Sequence, residues 1–279
     1  MSIFFNYNGN LFKEARAVIT PDNRSLKYGD GLFETIKMVN GKIIFKDYHF
    51  ERLFYGMKTL EFEIPSYFTP AYLEKEIIEL AKKNGHNTLT KIRLMLFRGR
   101  GGLYDLENHR PNYIIETWHL HGSIKLNANG LITGIYPYAK KNCDILANIK
   151  TNNFLPYALA AIYAKKNKLN DCILLNFNDK ICETTIANIF IIKDEMVYTP
   201  SLREGCIAGV MRRWLIENVK PFNHTIIETE ITVEELRQAD EVFLTNSIYP
   251  ISWVKQFQNI QYTNQHIKHL YTYIQQLFY

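Results

Sequence analysis

Cysteine is scarce. Four occur in 279 residues, at positions 143, 172, 182 and 206, and none forms a C-x-x-C pair. They are read as reduced thiols of a cytosolic protein. No apolar run is long enough to span a bilayer. Met1 to Phe5 is too short for a secretory h-region and reads as a first strand. No polybasic block occurs either: 33 basic and 28 acidic residues are mixed along the chain for a net charge of +5. Nucleic acid and membrane are therefore not expected as partners, while small anionic molecules are allowed. His119-x-His121 has no third ligand at a useful spacing, so a strand end is expected there and no metal. Internal repeats and low-complexity runs are also missing.

What is present is a globular composition, 47% hydrophobic and 14% aromatic, enough to bury a sizeable core. Asn8-Gly9-Asn10 and Asn40-Gly41 each sit between β-rich runs and predict hairpins. Gly29 and Gly31, ahead of the second run, imply a tight bend or a close backbone approach. A helix is expected to open at Asp47 as N-cap, burying Phe50, Leu53, Phe54, Met57 and Leu60. Arg52 falls about 200° from Phe50 at roughly 100° per residue, either in water or lining a cleft that holds an anion. A second helix runs from Pro70 to Lys83 and stops at Asn84-Gly85. Strands are expected at 91–97 and 112–120, separated by a flexible cationic loop, Arg98-Gly99-Arg100-Gly101-Gly102-Leu103-Tyr104. That loop has neither Walker spacing nor a dinucleotide-binding context.

A polar stretch at 122–127 is expected to link an N-terminal αβ domain, 1–121, to a C-terminal domain, 128–279. In the second half, strands are expected at 130–138, 172–177, 196–199 and 241–245, with an extended run from Lys180 to Ile192. Helices are expected at 205–219, at 232–238 with a capping box in Thr232-Val233-Glu234-Glu235, and at 262–279. The alternation of strands and helices points to a mixed α/β or α+β architecture.

Asn148-Ile149-Lys150-Thr151-Asn152-Asn153 precedes a helical pattern in which Leu155, Leu159, Ile162 and Tyr163 are the apolar positions. Lys150 thus ends a strand or loop just before a helix. A lysine so placed can point into a cleft and form an imine with a carbonyl cofactor, although most lysines are solvated surface charges.

Six pieces, in order, resemble the fold-type IV pyridoxal-phosphate enzymes: Gly29-Asp30-Gly31-x-Phe33-Glu34-Thr35, His49-x-x-Arg52-Leu53, Lys150-Thr151-Asn152, Glu183-x4-Asn188-Ile189-Phe190, Thr199-Pro200 and Gly209-Val210-x-Arg212. The group includes branched-chain and D-amino-acid aminotransferases and 4-amino-4-deoxychorismate lyases, and the likeness runs from Tyr28 to about Val254. It implies a two-domain α+β fold with a smaller αβ domain and a larger β-barrel-like domain carrying the Schiff-base lysine. It also implies a homodimer and pyridoxal 5'-phosphate as cofactor.

By the same resemblance, Lys150 is the Schiff-base lysine and proton shuttle, losing its proton more easily when out of water. Glu183 pairs with the pyridine nitrogen and keeps the ring an electron sink; without that context it reads as a surface strand residue. Thr184, Thr185 and Asn188 form a polar turn over the ring. Arg52 grips the phosphate, together with N–H groups at Val210 and Met211, Ser247 and the backbone near Ile186. Ile207 packs on one ring face, and both Ile207 and Val210 also suit an ordinary core.

The Arg98–Gly102 loop and Asn246-Ser247 resemble the lyases, which release pyruvate and leave p-aminobenzoate for folate synthesis. Leu103, where an arginine often stands, departs from them. Arg98 and Arg100 are expected to grip the substrate's carboxylates, with Phe33 and Tyr104 beside it. An amino-acid aminotransferase is the alternative, sharing every cofactor residue. A non-catalytic scaffold would not need intact Lys150, Glu183 and Arg52.

Overall fold

The computed structural model describes residues 3–13, 16, 18–104, 108–120, 125–221 and 225–278. Of the expected linker, residues 122–124 lie outside the described residues, as does His121. The chain divides into two compact units: Met1–Gly122 with Ile149–Asn153, and Ser123–Asn148 with Phe154–Tyr279.

The first unit is a six-stranded sheet with two helices on one face. Its strands are β1 (Phe4–Tyr7), β2 (Asn10–Lys13), β3 (Gly31–Val39), β4 (Lys42–Ile43), β5 (Leu89–Phe97) and β6 (Asn112–His119), in the order β2-β1-β6-β5-β3-β4. Asn40 and Gly41 turn β3 into β4 with φ of 48° and 78°, the left-handed pair a two-residue hairpin requires. Strand periodicity splits the side chains. Leu32, Ile36 and Met38 of β3 join Ile92, Leu94 and Leu96 of β5 in the core. Phe33, Thr35 and Lys37, with Lys91, Arg93 and Met95 across from them, take the opposite face.

The core is closed by α2 (Lys46–Thr59) and α3 (Pro70–Asn84), which contribute Phe50, Leu53, Met57, Leu73, Ile77 and Leu80. Thr69 caps the start of α3 and Gly85 its end. The start of α2 differs from expectation: its N-cap is Phe45, with no side-chain hydrogen bond, and Asp47 lies inside the first turn. There its charge still meets the positive end of the helix dipole. A short helix the sequence did not announce, α1 (Arg24–Tyr28), is capped by Asn23.

The second unit is built on a nine-stranded sheet, β12-β11-β10-β13-β14-β7-β8-β9 with β15 beside β14. Its strands are β7 (Leu131–Ile135), β8 (Asp171–Leu175), β9 (Ile181–Thr184), β10 (Asn188–Lys193), β11 (Met196–Pro200), β12 (Ile227–Thr229), β13 (Glu241–Thr245), β14 (Ser252–Phe257) and β15 (Ile260–Gln261). A three-residue turn carries end strand β9 straight into β10, deep in the sheet, and the Thr184 N–H donates to Ala187 O across it. The sheet therefore curls into the half-barrel expected of the larger domain. Its helices are α4 (Leu155–Lys166), α5 (Val210–Asn218), α6 (Val233–Arg237) and α7 (Gln265–Phe278). The Thr232–Glu235 capping box forms as expected. Among the described residues no helix is long and apolar enough to cross a membrane.

Two helices correct the sequence reading. The expected apolar stripe of α4, Leu155, Leu159 and Ile162, is exposed, and Tyr157, Ala160 and Ala164 are buried instead. The alanines let the helix lie close against Cys172 and Leu174 of β8, so small side chains, not large ones, mark the inner face. The helix expected from Gly205 begins at Val210. Its first five positions are not helical: Gly205 is left-handed, with φ of 83°, and across the following segment the Ile207 N–H donates to Glu183 and the Ile207 carbonyl accepts from Asn188.

Candidate active site

In the first unit, Lys150 is fixed by its backbone. The Phe33 N–H donates to Lys150 O at 2.9 Å and the Asn152 N–H to Gly31 O at 2.9 Å, while Ile149 is buried in the core. This pairing places Lys150 in the first unit, not in the C-terminal domain expected to carry it. A Cβ on Gly31 would stand 2.2 Å from Leu96 O and 2.4 Å from Asn152 Nδ2, so the close approach at that glycine admits no side chain. Lys150 Nζ lies 4.5 Å from the centroid of the buried Phe33 ring, and the Arg93 guanidinium lies 4.2 Å from the same centroid. Two cations thus share one aromatic ring.

Glu34, next to Phe33, points to the opposite face. Arg52 Nε donates to its Oε1 at 2.8 Å and Arg52 Nη2 to its Oε2 at 2.6 Å, with His49 Nδ1 2.7 Å from Oε2. Arg52 is therefore in a buried charge cluster, not in water. Burial would raise the Glu34 pKa, but the Arg52 charge and the hydrogen bonds from His49 and Arg52 outweigh it and hold the carboxyl at about 2. Burial lowers the His49 pKa. The neutral ring donates from Nδ1 to the ionised carboxylate, and its buried Nε2 has no hydrogen-bond partner among the described residues.

Because the Glu34 pKa falls from its ordinary 4.5 to about 2 on folding, the group stabilises the fold fully above pH 4.5. The stabilisation is lost as pH falls through about 2, and amounts to ~3 kcal/mol. Urea titrations of wild type and Glu34→Gln between pH 5 and pH 2 should show a shallower loss of stability in the variant. Equal slopes would contradict the assignment.

The cationic loop, expected to be flexible, is tied to its surroundings at Arg98, Gly99 and Gly101. Arg98 Nη1 donates to Asp30 Oδ1 at 2.6 Å, Nη2 donates to Leu60 O, and the guanidinium lies 4.4 Å from the Phe62 centroid. The Arg24 N–H donates to Gly99 O and the Gly101 N–H to Asp22 O. The expectation that Arg98 grips a substrate carboxylate does not match this arrangement, because its charge is already met by Asp30 and it is buried. Arg100 is exposed, 3.6 Å from Asp22 Oδ2, and Tyr104 is exposed as well.

In the second unit, Glu183 is buried on β9. Its Oε1 accepts from the Tyr157 hydroxyl at 2.6 Å and from Lys141 Nζ at 3.0 Å, and its Oε2 accepts from the Ile207 N–H at 3.1 Å. Burial, and then the Glu183 charge, push the Tyr157 phenol far above its ordinary pKa, so it remains a donor. Asn188 Nδ2 donates to Ile207 O at 2.9 Å. Helix α5 then starts at Val210 and Met211, both buried, behind a Gly209 cap without a side-chain hydrogen bond. Thr245, paired with Asn188, has a buried hydroxyl without a hydrogen-bond partner among the described residues. Ser247, two residues on, is half-buried, whereas the Ile186 side chain is exposed. Within this unit Glu183, Ile207 and the start of α5 are therefore brought together. All four cysteines are free, with only Cys143 exposed.

The sequence did not single out Lys141, Tyr157 or Arg93. Arg93 had a signal: alternation in β5 puts Lys91 and Arg93 on the face away from Ile92, Leu94 and Leu96. Lys141 had none, since its partner lies 42 residues away.

Residues 31–257 match the family described as Amino-transferase class IV. The chain is 29% identical to an aminodeoxychorismate lyase of Vibrio harveyi over 251 residues, covering 85% of this chain and 88% of that protein. It is 25% identical over 266 residues to a D-alanine aminotransferase of Listeria monocytogenes, covering 91% and 87%. The structure of a branched-chain aminotransferase from the archaeon Thermoproteus uzoniensis, solved with norvaline, superposes with a TM-score of 0.89 at 24% identity, covering 99% of this chain and 94% of that one.

Proposed function

The chain belongs to the class IV aminotransferase family of pyridoxal-phosphate enzymes, and from that premise we propose that it is a lyase that converts 4-amino-4-deoxychorismate to p-aminobenzoate and pyruvate. The donor set fits the cofactor. Lys150 offers an amine. Among the described residues Glu183 Oε2 accepts only one hydrogen bond. The uncapped first turn of α5 and the unpartnered Thr245 hydroxyl suit a phosphate. When bound, pyridoxal phosphate would supply an aldehyde for the substrate amine and a ring that accepts the charge developing on the neighbouring carbon.

In this reading Lys150 holds the cofactor, then takes the proton from the amine-bearing ring carbon. The bond from the ring to the enolpyruvyl oxygen breaks, the ring becomes aromatic, and the enol takes up a proton to leave as pyruvate. Glu183 would pair with the pyridine nitrogen. Val210, Met211 and Ser247, with the backbone at Ile186, would hold the phosphate, and Ile207 would pack on the ring; Arg52, two of whose nitrogens are engaged by Glu34, would add its positive charge to the phosphate. The observation that carries the reading is the Phe33 ring with Lys150 on it and Arg93 beside it: a proton-transferring amine and a carboxylate-binding cation in one place. Arg93 takes the carboxylate role withdrawn from Arg98, with Arg100 and Tyr104 as further substrate contacts. The likeness to the Vibrio harveyi lyase favours elimination over transamination. A homodimer in the cytoplasm completes the reading.

The test is pyruvate release from aminodeoxychorismate, measured beside amino-group transfer from D-alanine or L-leucine to 2-oxoglutarate. Pyruvate without transfer is expected, and Arg93→Ala should lower kcat/KM by about tenfold to a hundredfold, chiefly through KM. Transfer without pyruvate release would make the protein an aminotransferase, the reading favoured by its likeness to the Listeria enzyme.

A further inference from the structure

Lys141 and Tyr157 form a buried cluster with Glu183 that none of the roles above uses. The Lys141 and Glu183 side chains are 10% and 3% exposed. Lys141 Nζ donates both to Tyr157 Oη and to Glu183 Oε1, and the Tyr157 hydroxyl donates to the same Oε1. Two donors occupy Oε1, whereas among the described residues Oε2 receives only the Ile207 N–H and keeps an acceptor position. The cluster is rigid. Phe154 stacks on the Tyr157 ring at 4.1 Å between centroids, and Asn188 pins Ile207. Neighbouring thiols add no competing charge: burial pushes Cys206 up to about 12 and raises Cys182 as well.

A carboxylate that shares a proton with an aromatic nitrogen has two forms, one with the proton on oxygen and one with it on nitrogen. A cation 3.0 Å from the carboxylate stabilises the ionised oxygen. It repels a proton beyond the carboxylate less, because that proton is farther away. With the number of protons fixed, the cation therefore drives the shared proton onto nitrogen.

We propose that Lys141 and Tyr157 are positioning residues that fix the orientation of Glu183 and set a positive charge behind it, so that the shared proton resides on the ring nitrogen of the cofactor. This rests on the reading that Glu183 meets that nitrogen.

The test uses holoenzyme loaded with pyridoxal phosphate labelled with 15N in the ring, and reads the nitrogen resonance by NMR. Wild type should show a protonated nitrogen. Lys141→Met should move the resonance toward the unprotonated position, Lys141→Arg should return it, and Tyr157→Phe, which removes a donor but no charge, should move it less in the same direction. Melting of the cofactor-free protein is followed in parallel. A purely structural role would lower that melting temperature and leave the nitrogen unmoved. Unshifted resonances in Lys141→Met and Tyr157→Phe would overturn the proposal, and Tyr157→Phe decides alone if Lys141→Met does not fold. An unprotonated nitrogen in wild type would instead overturn the role of Glu183 and this proposal with it. Failure of wild type to bind the cofactor would sink the reading of the site itself.

Discussion

Lys150→Ala is expected to lower turnover by at least about a thousandfold, since a positioned proton-transfer group contributes roughly 10²–10⁴ and the substitution also removes the covalent anchor. The fold should survive it. The backbone of Lys150, not its side chain, pairs with Gly31 and Phe33. The side chain contributes a cation–π contact with Phe33, worth about 1 kcal/mol. The variant should therefore melt close to wild type while failing in the pyruvate assay. A variant that retained a tenth of the activity would place the proton transfer elsewhere.

Glu183→Ala should damage stability as well as chemistry. It strips Lys141 of its only ion-pair partner among the described residues and leaves an ammonium that is 10% exposed beside the Tyr157 hydroxyl. Breaking a buried pair on one side costs about 3–5 kcal/mol. Glu183→Gln keeps the shape, and its one amide oxygen can still accept from Tyr157 and Lys141 at the cost of the Ile207 hydrogen bond, so its loss of stability should be smaller. Both should lower turnover by at least about a hundredfold, the usual cost of removing a preorganised electrostatic partner. Urea denaturation separates the two variants, and steady-state kinetics should show them falling together. Full activity in Glu183→Gln would mean that the negative charge is not used.

Local signals gave the local structure. Asn40-Gly41 made its hairpin, Thr232 and Glu235 made their capping box, and Gly85 ended α3. What the sequence misjudged depends on groups distant along the chain. The inner face of α4 is set by β8, which accepts alanines and turns Leu155, Leu159 and Ile162 outward. The start of α5 is delayed past the left-handed Gly205, and Glu183 and Asn188 bind the backbone of Ile207 in the segment between. Arg98 had the right type and setting for a substrate grip, but Asp30, itself in the glycine-rich motif before β3, claims it. Lys150 and Glu183 were legible through family resemblance. Their neighbours Arg93, Lys141 and Tyr157 emerged only when strand register and side-chain geometry were known.

The most direct test of the central claim, that Lys150 carries pyridoxal phosphate, is reduction of the purified holoenzyme with borohydride followed by peptide mass mapping. The account predicts a visible absorption band that borohydride removes, with the cofactor's mass then fixed on the peptide containing Lys150. A cofactor mass on any other lysine, or no band in protein supplied with pyridoxal phosphate, would contradict it.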